Sequence, residues 1–217
     1  MIFLSPFLLG IYKECPRCFW LHVNRGHKRP GGAFPSLPGG MDLIIKEYFD
    51  KYRGKLPPEI QGKVRGVLFD DQELLNRWRN WKTSLRIGNE EWSLYGAFDD
   101  VLQDGEIFIP IDFKTRASEA KGETKEFYQH QLDLYTFLLD KNGYKTDGTS
   151  YLIYFYPKSE QEGGIFKFEI TPEEIKTNLN DAQNLINKAV ETLQRPIPKE
   201  HTECEFCRWH KLIAEFD

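Results

Sequence analysis

The chain has no stretch near the roughly 18 consecutive apolar residues that a membrane span requires, so no membrane partner is expected. A basic excess is also missing. Lys and Arg total 29 against 33 Asp and Glu, a formal net charge of −4. That excludes a uniform cationic coat for nucleic acid, but not a local basic groove. Repeats are absent, and the 14% aromatic content excludes collagen-like and disordered classes. The opening MIFLSPFLLGIYKECPRC lacks a basic n-region and a small-residue cleavage site, so no signal peptide is expected. Cysteine is confined to Cys15, Cys18, Cys204 and Cys207. The expected setting is a reducing cytoplasm, where paired cysteines point to metal before disulfide.

What is present suits one domain over residues 1–217, long enough to bury about 70% of its extended-chain surface. Ser5-Pro6 predicts a helix start. Residues 30–40, PGGAFPSLPGG, are too rich in proline and glycine for a regular element. A helix follows over 41–53, with Leu43, Ile44 and Tyr48 on its buried face. A second spans 71–86, with Leu74, Leu75, Trp78 and Trp81 at helical spacing. The stretch from Trp92 to Arg116 reads as two strands turning at Asp104-Gly105. The next helix ends near Asn142-Gly143. TSYLIYFYPK is a strand apolar enough for burial on both faces, and IFKFEI is another. Thr171-Pro-Glu-Glu174 resembles a capping box opening a helix that runs to about Gln194, and a short helix closes the chain. This order describes a mixed α/β domain with a central sheet.

The chemistry concentrates in Gly96-Ala-Phe-Asp99 and Ile111-Asp112-Phe113-Lys114. Asp112 and Lys114 are two apart on a strand and share a face. A hairpin can bring Asp99 alongside Asp112. Two convergent carboxylates suit a hard cation such as Mg²⁺ or Mn²⁺. A lysine beside them can position or help deprotonate a water, or stabilise charge developing on phosphorus. Alternating Asp and Lys is common on solvated sheets, but Asp112 lies inside the apolar run IFIPIDFKT, where an unpaired charge is costly. On the following helix Gln131 and Tyr135 are four apart and share a face.

G-x-x-D, D-x-K-T and Q-x-x-x-Y in this order resemble the PD-(D/E)XK nuclease superfamily, in its RecB-like branch with four cysteines. Ser5 to Phe19, S-P-x-x-L-x-x-Y-x-x-C-P-R-x-F, resembles the same branch, which includes CRISPR-associated exonucleases and AddB-type nuclease domains. The resemblance implies a restriction-endonuclease-like central mixed sheet flanked by helices. It implies Asp99, Asp112 and the Phe113 carbonyl as metal ligands, Lys114 as the catalytic lysine, and Gln131 and Tyr135 as residues shaping the active site. The implied activity is deoxyribonuclease, exonuclease before endonuclease, in repair and recombination or CRISPR adaptation. The implied partners are DNA and a helicase, integrase or other nuclease-complex subunit. An alternative is a weak or inactive nucleic-acid-binding or interaction subunit on the same fold. One departure stands out. The histidine usual on an early helix is missing, and Asp42 is the carboxylate available to replace it.

The two C-x-x-C pairs suit tetrahedral Zn²⁺ or a [4Fe–4S] cluster, joining residues 1–40 to 195–217. The resemblance favours iron–sulfur, but those relatives place one cysteine early and three late, and the two-and-two pattern here leaves zinc open. Two basic segments are candidates for DNA: Arg17, Arg25, Lys28 and Arg29, and then Arg77, Arg79, Lys82 and Arg86. The tryptophans could stack on unpaired bases.

Overall fold

A computed structural model describes residues 1–31, 36–119 and 124–213. The elements are β1 (Ile2–Leu4), α1 (Pro6–Glu14), α2 (Pro16–Arg25), α3 (Ser36–Asp50), β2 (Val67–Leu68), α4 (Gln72–Arg79), β3 (Arg86–Gly88), β4 (Trp92–Tyr95), β5 (Asp100–Asp104), β6 (Ile107–Thr115), α5 (Thr124–Lys141), β7 (Thr149–Gln161), β8 (Ile165–Lys176), α6 (Leu179–Gln194) and α7 (Glu205–Ile213). A five-stranded mixed sheet runs β2-β5-β6-β7-β8, and a small sheet runs β1-β4-β3.

The parallel pairing of β6 with β7 is what the intervening α5 crossover requires. As its apolar run implies, β7 is buried on both faces from Thr149 to Tyr156, and exposed beyond it. Leu152, Tyr154 and Tyr156 join the core shared with α1, α2, α5 and α6, while Tyr151, Ile153 and Phe155 join the core under α3. On β6, Ile109, Ile111 and Phe113 fill the α3 side, which leaves Asp112 and Lys114 on the α5 side. Ser5 caps α1, its hydroxyl accepting the Leu8 N–H at 3.3 Å. Gly143 ends the α5 segment at φ 86°, a backbone conformation that favours glycine.

Five sequence expectations are corrected. The loop expected over 30–40 is helical from Ser36, where Pro38 lies in the first turn and its missing N–H breaks no helical bond; residues 32–35 lie outside the described ones. On α3 the buried positions are Ile45 and Phe49, whereas Leu43 and Ile44 are 64% and 61% exposed. The helix expected over 71–86 stops at Arg79, and Trp81 is exposed. After it Ser84 turns inward to bond the Gly96 carbonyl.

The long first strand breaks at Gly96–Asp99, so β4 and β5 serve different sheets. There Phe98 N–H bonds the Trp78 carbonyl and Tyr135 Oη bonds the Ala97 carbonyl, which satisfies this backbone off the ladder. Gly96 is required by close approach, since a Cβ there would lie 2.9 Å from side-chain atoms of Tyr135 and Leu138. Finally, Thr171–Glu174 continues β8 instead of capping a helix. β8 is an edge strand, where Pro172 is tolerated, and Asn178 caps α6.

Candidate active site and cysteine centre

Asp99 stands one residue before β5, and its Oδ2 accepts the Phe113 N–H at 3.0 Å. That bond ties the first motif to the middle of the second. Asp112 Oδ1 accepts from Gln131 Nε2 at 2.8 Å, and its Oδ2 faces the Lys114 ammonium as an ion pair. Lys114 Nζ also donates to Gln131 Oε1 at 3.3 Å and lies 4.5 Å from the centroid of the Tyr128 ring. Gln131 Nε2 donates to Tyr135 Oη at 2.9 Å, and Tyr135 Oη donates to the Ala97 carbonyl at 2.8 Å. The helix that follows the strand thus reaches back to both motifs.

From the opposite side α3 brings Asp42 and Lys46. Lys46 Nζ lies 2.8 Å from Asp42 Oδ2 and 2.9 Å from Asp99 Oδ1. Three carboxylates and two ammonium groups therefore meet at the ends of β5 and β6. Lys46 was missed in the sequence, although its i,i+4 spacing from Asp42 is the pattern of a helix-face ion pair.

Asp112 is 1% exposed. Burial pushes its carboxyl up to about 7, opposed by Lys114 and assisted by Asp99. Burial works against the Lys114 ammonium, but Asp112 overcomes it and the net direction is upward. Lys46 is also raised, with Asp99 and Asp42 outweighing burial. Tyr135 is held well above the usual phenol range by burial, then by Asp112 and Asp99. The residues fit a hard divalent cation. The donors are the carboxylate oxygens of Asp99, Asp112 and Asp42, hard ligands of the kind such a cation takes.

Behind the site lies a second ionic cluster that the sequence did not reveal. The fully buried Asp100 carboxylate accepts from Arg53 at 2.7 Å, Arg79 at 3.2 Å and its neighbour Val101 N–H at 2.8 Å. Arg79 also bonds Asp50 at 2.8 Å and the Asp99 carbonyl at 2.9 Å. Its guanidinium is thus committed to holding Asp99 in place.

The other basic residues are distributed differently. Arg25, Lys28, Arg77, Lys82 and Arg86 are exposed. Arg17 donates to the Pro198 carbonyl at 3.0 Å, and Arg29 pairs with Glu14. Trp78 is buried, and Trp81 and Trp209 are exposed. A cleft of about 900 Å³ runs from Tyr128 and Gln131 past Phe7 and Lys13 to Arg29 and Phe206.

The four cysteines converge and are all buried, with their sulfurs within 4.8 Å of one another. Cys15 caps α2 and accepts the Cys18 N–H at 3.4 Å. Cys204 immediately precedes α7, and Cys207 lies in its first turn. Arg29 lies 3.9 Å from Cys204 Sγ and stacks over Phe206. Burial opposes the Cys204 thiolate, but the Cys207 N–H, the Cys18 and Cys15 thiols and the Phe206 N–H bring it down to about 7.

A sequence profile of the PD-(D/E)XK nuclease superfamily matches residues 41–212. The chain belongs to the PD-(D/E)XK nuclease superfamily. Its sheet, flanking helices and motif order agree with that membership. Members of the superfamily usually use Mg²⁺ or Mn²⁺. The matched span contains Asp42, Asp99, Asp112, Lys114 and Cys204 with Cys207, while Cys15 and Cys18 lie upstream of it. No curated protein matches the chain. Among the described residues no helix is long and apolar enough to cross a membrane.

Proposed function

We propose that this chain is a Mg²⁺- or Mn²⁺-dependent deoxyribonuclease of the RecB-like branch, acting on single-stranded or end-containing DNA. Exonuclease action is favoured over endonuclease, in repair and recombination or in CRISPR adaptation. The observation that carries the reading is the convergence of Asp99, Asp112 and Lys114, locked together through Phe113 N–H and Gln131. Asp99, Asp112 and the Phe113 carbonyl would hold the cation, with Asp42 nearby. The bound cation supplies Lewis-acid polarisation of the phosphate and makes a water more acidic.

The protein's own groups do the rest. Lys114, its ammonium form favoured by Asp112, would orient the water and offset the negative charge growing on the phosphate. Gln131 holds Asp112 and Lys114 in register, and Tyr135 fixes Gln131 against the Ala97 carbonyl. The exposed Arg25, Lys28, Arg77, Lys82 and Arg86 would track the phosphate backbone, giving salt-dependent and sequence-independent affinity. The cleft beside Tyr128 and Gln131, with Phe7 on its wall, supports an unpaired strand as the ligand.

Lys46 has a definable part. It neutralises Asp99 and Asp42, so removing it leaves the site more negative. Lys46→Met is expected to lower the Mn²⁺ concentration needed for half-maximal cleavage. It is also expected to reduce the maximal rate about 10–100-fold, as loss of a group orienting a metal ligand does. A metal titration of cleavage reads both.

The test of function is cleavage of labelled linear single strands, circular single strands and duplex, with Mn²⁺, Mg²⁺ or EDTA. Metal-dependent degradation of linear strands with circles spared supports the proposal. Equal cutting of circles makes the enzyme an endonuclease. Salt-sensitive binding without any cleavage makes it a binding subunit.

A further inference from the structure

The cysteine centre permits a finer assignment, which rests on the reading that its thiols hold metal. We infer that it is a mononuclear, tetrahedral Zn²⁺ site and not a [4Fe–4S] cluster. The size of the cage carries this. Cys15 Sγ lies 3.6 Å from Cys207 Sγ, and Cys18 Sγ lies 3.6 Å from Cys204 Sγ. All four sulfurs fall within 4.8 Å of one another. Four thiolates around one zinc at ~2.3 Å stand about 3.8 Å apart along each edge of the tetrahedron. In a cubane cluster each thiolate bonds a different iron and sits outside a cube that also contains four sulfides. Sulfurs so arranged must stand further apart than ligands sharing one ion, and this cage has no interior for such a cube.

The cage cannot open cheaply. Each cysteine pair is set within one helical turn, so expansion would require α2 and α7 to separate as bodies. α2 is fixed to the end of α6 and the segment that follows it by three hydrogen bonds. Arg17 donates to the Pro198 carbonyl at 3.0 Å, Trp20 to the Arg195 carbonyl at 2.9 Å, and Asn24 to the Leu193 carbonyl at 3.0 Å. Phe19, between Arg17 and Trp20, is fully buried in the main core.

The surroundings match a doubly negative zinc–thiolate centre. The Cys18 N–H at the α2 N-terminus points at Cys15 Sγ, and Arg29 approaches Cys204 Sγ. Four protein ligands leave no open position, so the ion is structural. It joins the upstream end of the chain, outside the superfamily match, to the downstream end within it.

The experiment is elemental analysis with an absorption spectrum on the whole protein, purified without oxygen from iron-supplemented cells. About one zinc per chain, little iron and no visible charge-transfer band is the expected result. Exchange with Co²⁺ should then give the strong visible d–d bands of a tetrahedral cobalt thiolate. Iron at about four per chain with matching sulfide would overturn the zinc assignment and leave the thiol–metal reading intact. Metal-free protein with four titratable thiols would overturn both. Cleavage is not a readout, so a failure of the nuclease proposal cannot be mistaken for either.

Discussion

Asp112→Asn is expected to reduce metal-dependent cleavage by about 10³-fold or more while leaving the fold and salt-sensitive DNA binding in place. The substitution keeps the shape and can still accept from Gln131, but it removes the buried negative charge that would hold the cation. Lys114→Ala should lose about 10²–10³-fold, the scale for deleting one preorganised group that stabilises transition-state charge. The two variants should part on cation binding: Lys114→Ala retains it, and Asp112→Asn does not.

A thermal-shift series with Mn²⁺ makes the distinction and adds a pH dependence. The Asp112 carboxyl titrates near 3.8 when unfolded and at about 7 when folded, because burial favours its neutral form. Between these values the folded state binds more protons, so this group's contribution to metal-free stability falls as pH rises from about 4 to 7. The cation requires the ionised form. Mn²⁺ should therefore raise the melting temperature more at pH 8 than at pH 5.5 in the wild type, and hardly at all in Asp112→Asn. An equal shift in both proteins would remove Asp112 from the metal site.

The second large effect is on stability. Asp100→Ala should destabilise the protein by about 3–5 kcal/mol, because the largely buried Arg53 and Arg79 would be left to share Asp50 as their counter-charge. For a chain of this size that is a fall in melting temperature of roughly 6–20 °C. Arg65 provides the control. It pairs with Asp104 and Asp147 at the surface, and Arg65→Ala should change stability by about 1 kcal/mol or less. Denaturant unfolding of both variants measures the difference. Similar small losses in both would show that the Asp100 cluster does not hold the β5 end rigid. Since Arg79 bonds the Asp99 carbonyl, Asp100→Ala should also weaken the cation response of whatever protein remains folded.

How much could be read beforehand follows from the range of the interactions. Strand and helix types in the middle of the chain were legible because Tyr151–Tyr156 of β7 is an unbroken apolar and aromatic run and Asn142-Gly143 marks the end of α5. The pairing of Asp112 with Lys114 followed from the two-residue period of a strand. The convergence of the two C-x-x-C pairs followed from cysteine chemistry alone.

The misreadings share a cause: tertiary contacts overrode local signals. Thr171-Pro-Glu-Glu174 has the letters of a helix start, but twelve pairings with β7 hold that chain as an edge strand. The break at Gly96–Asp99 is set by Tyr135 and Trp78, from elements far away in sequence. Arg79 looked like a surface charge because its partners Asp50 and Asp100 are 29 and 21 residues distant. Lys46 reaches Asp99 only because α3 packs across the end of the sheet.

The most direct test of the catalytic account is a crystal structure with Mn²⁺, its position fixed by anomalous scattering. The account requires a manganese ion bonded to carboxylate oxygens of both Asp99 and Asp112. A metal-loaded crystal with no ion on these two carboxylates, or with manganese held only by surface carboxylates elsewhere, would contradict it.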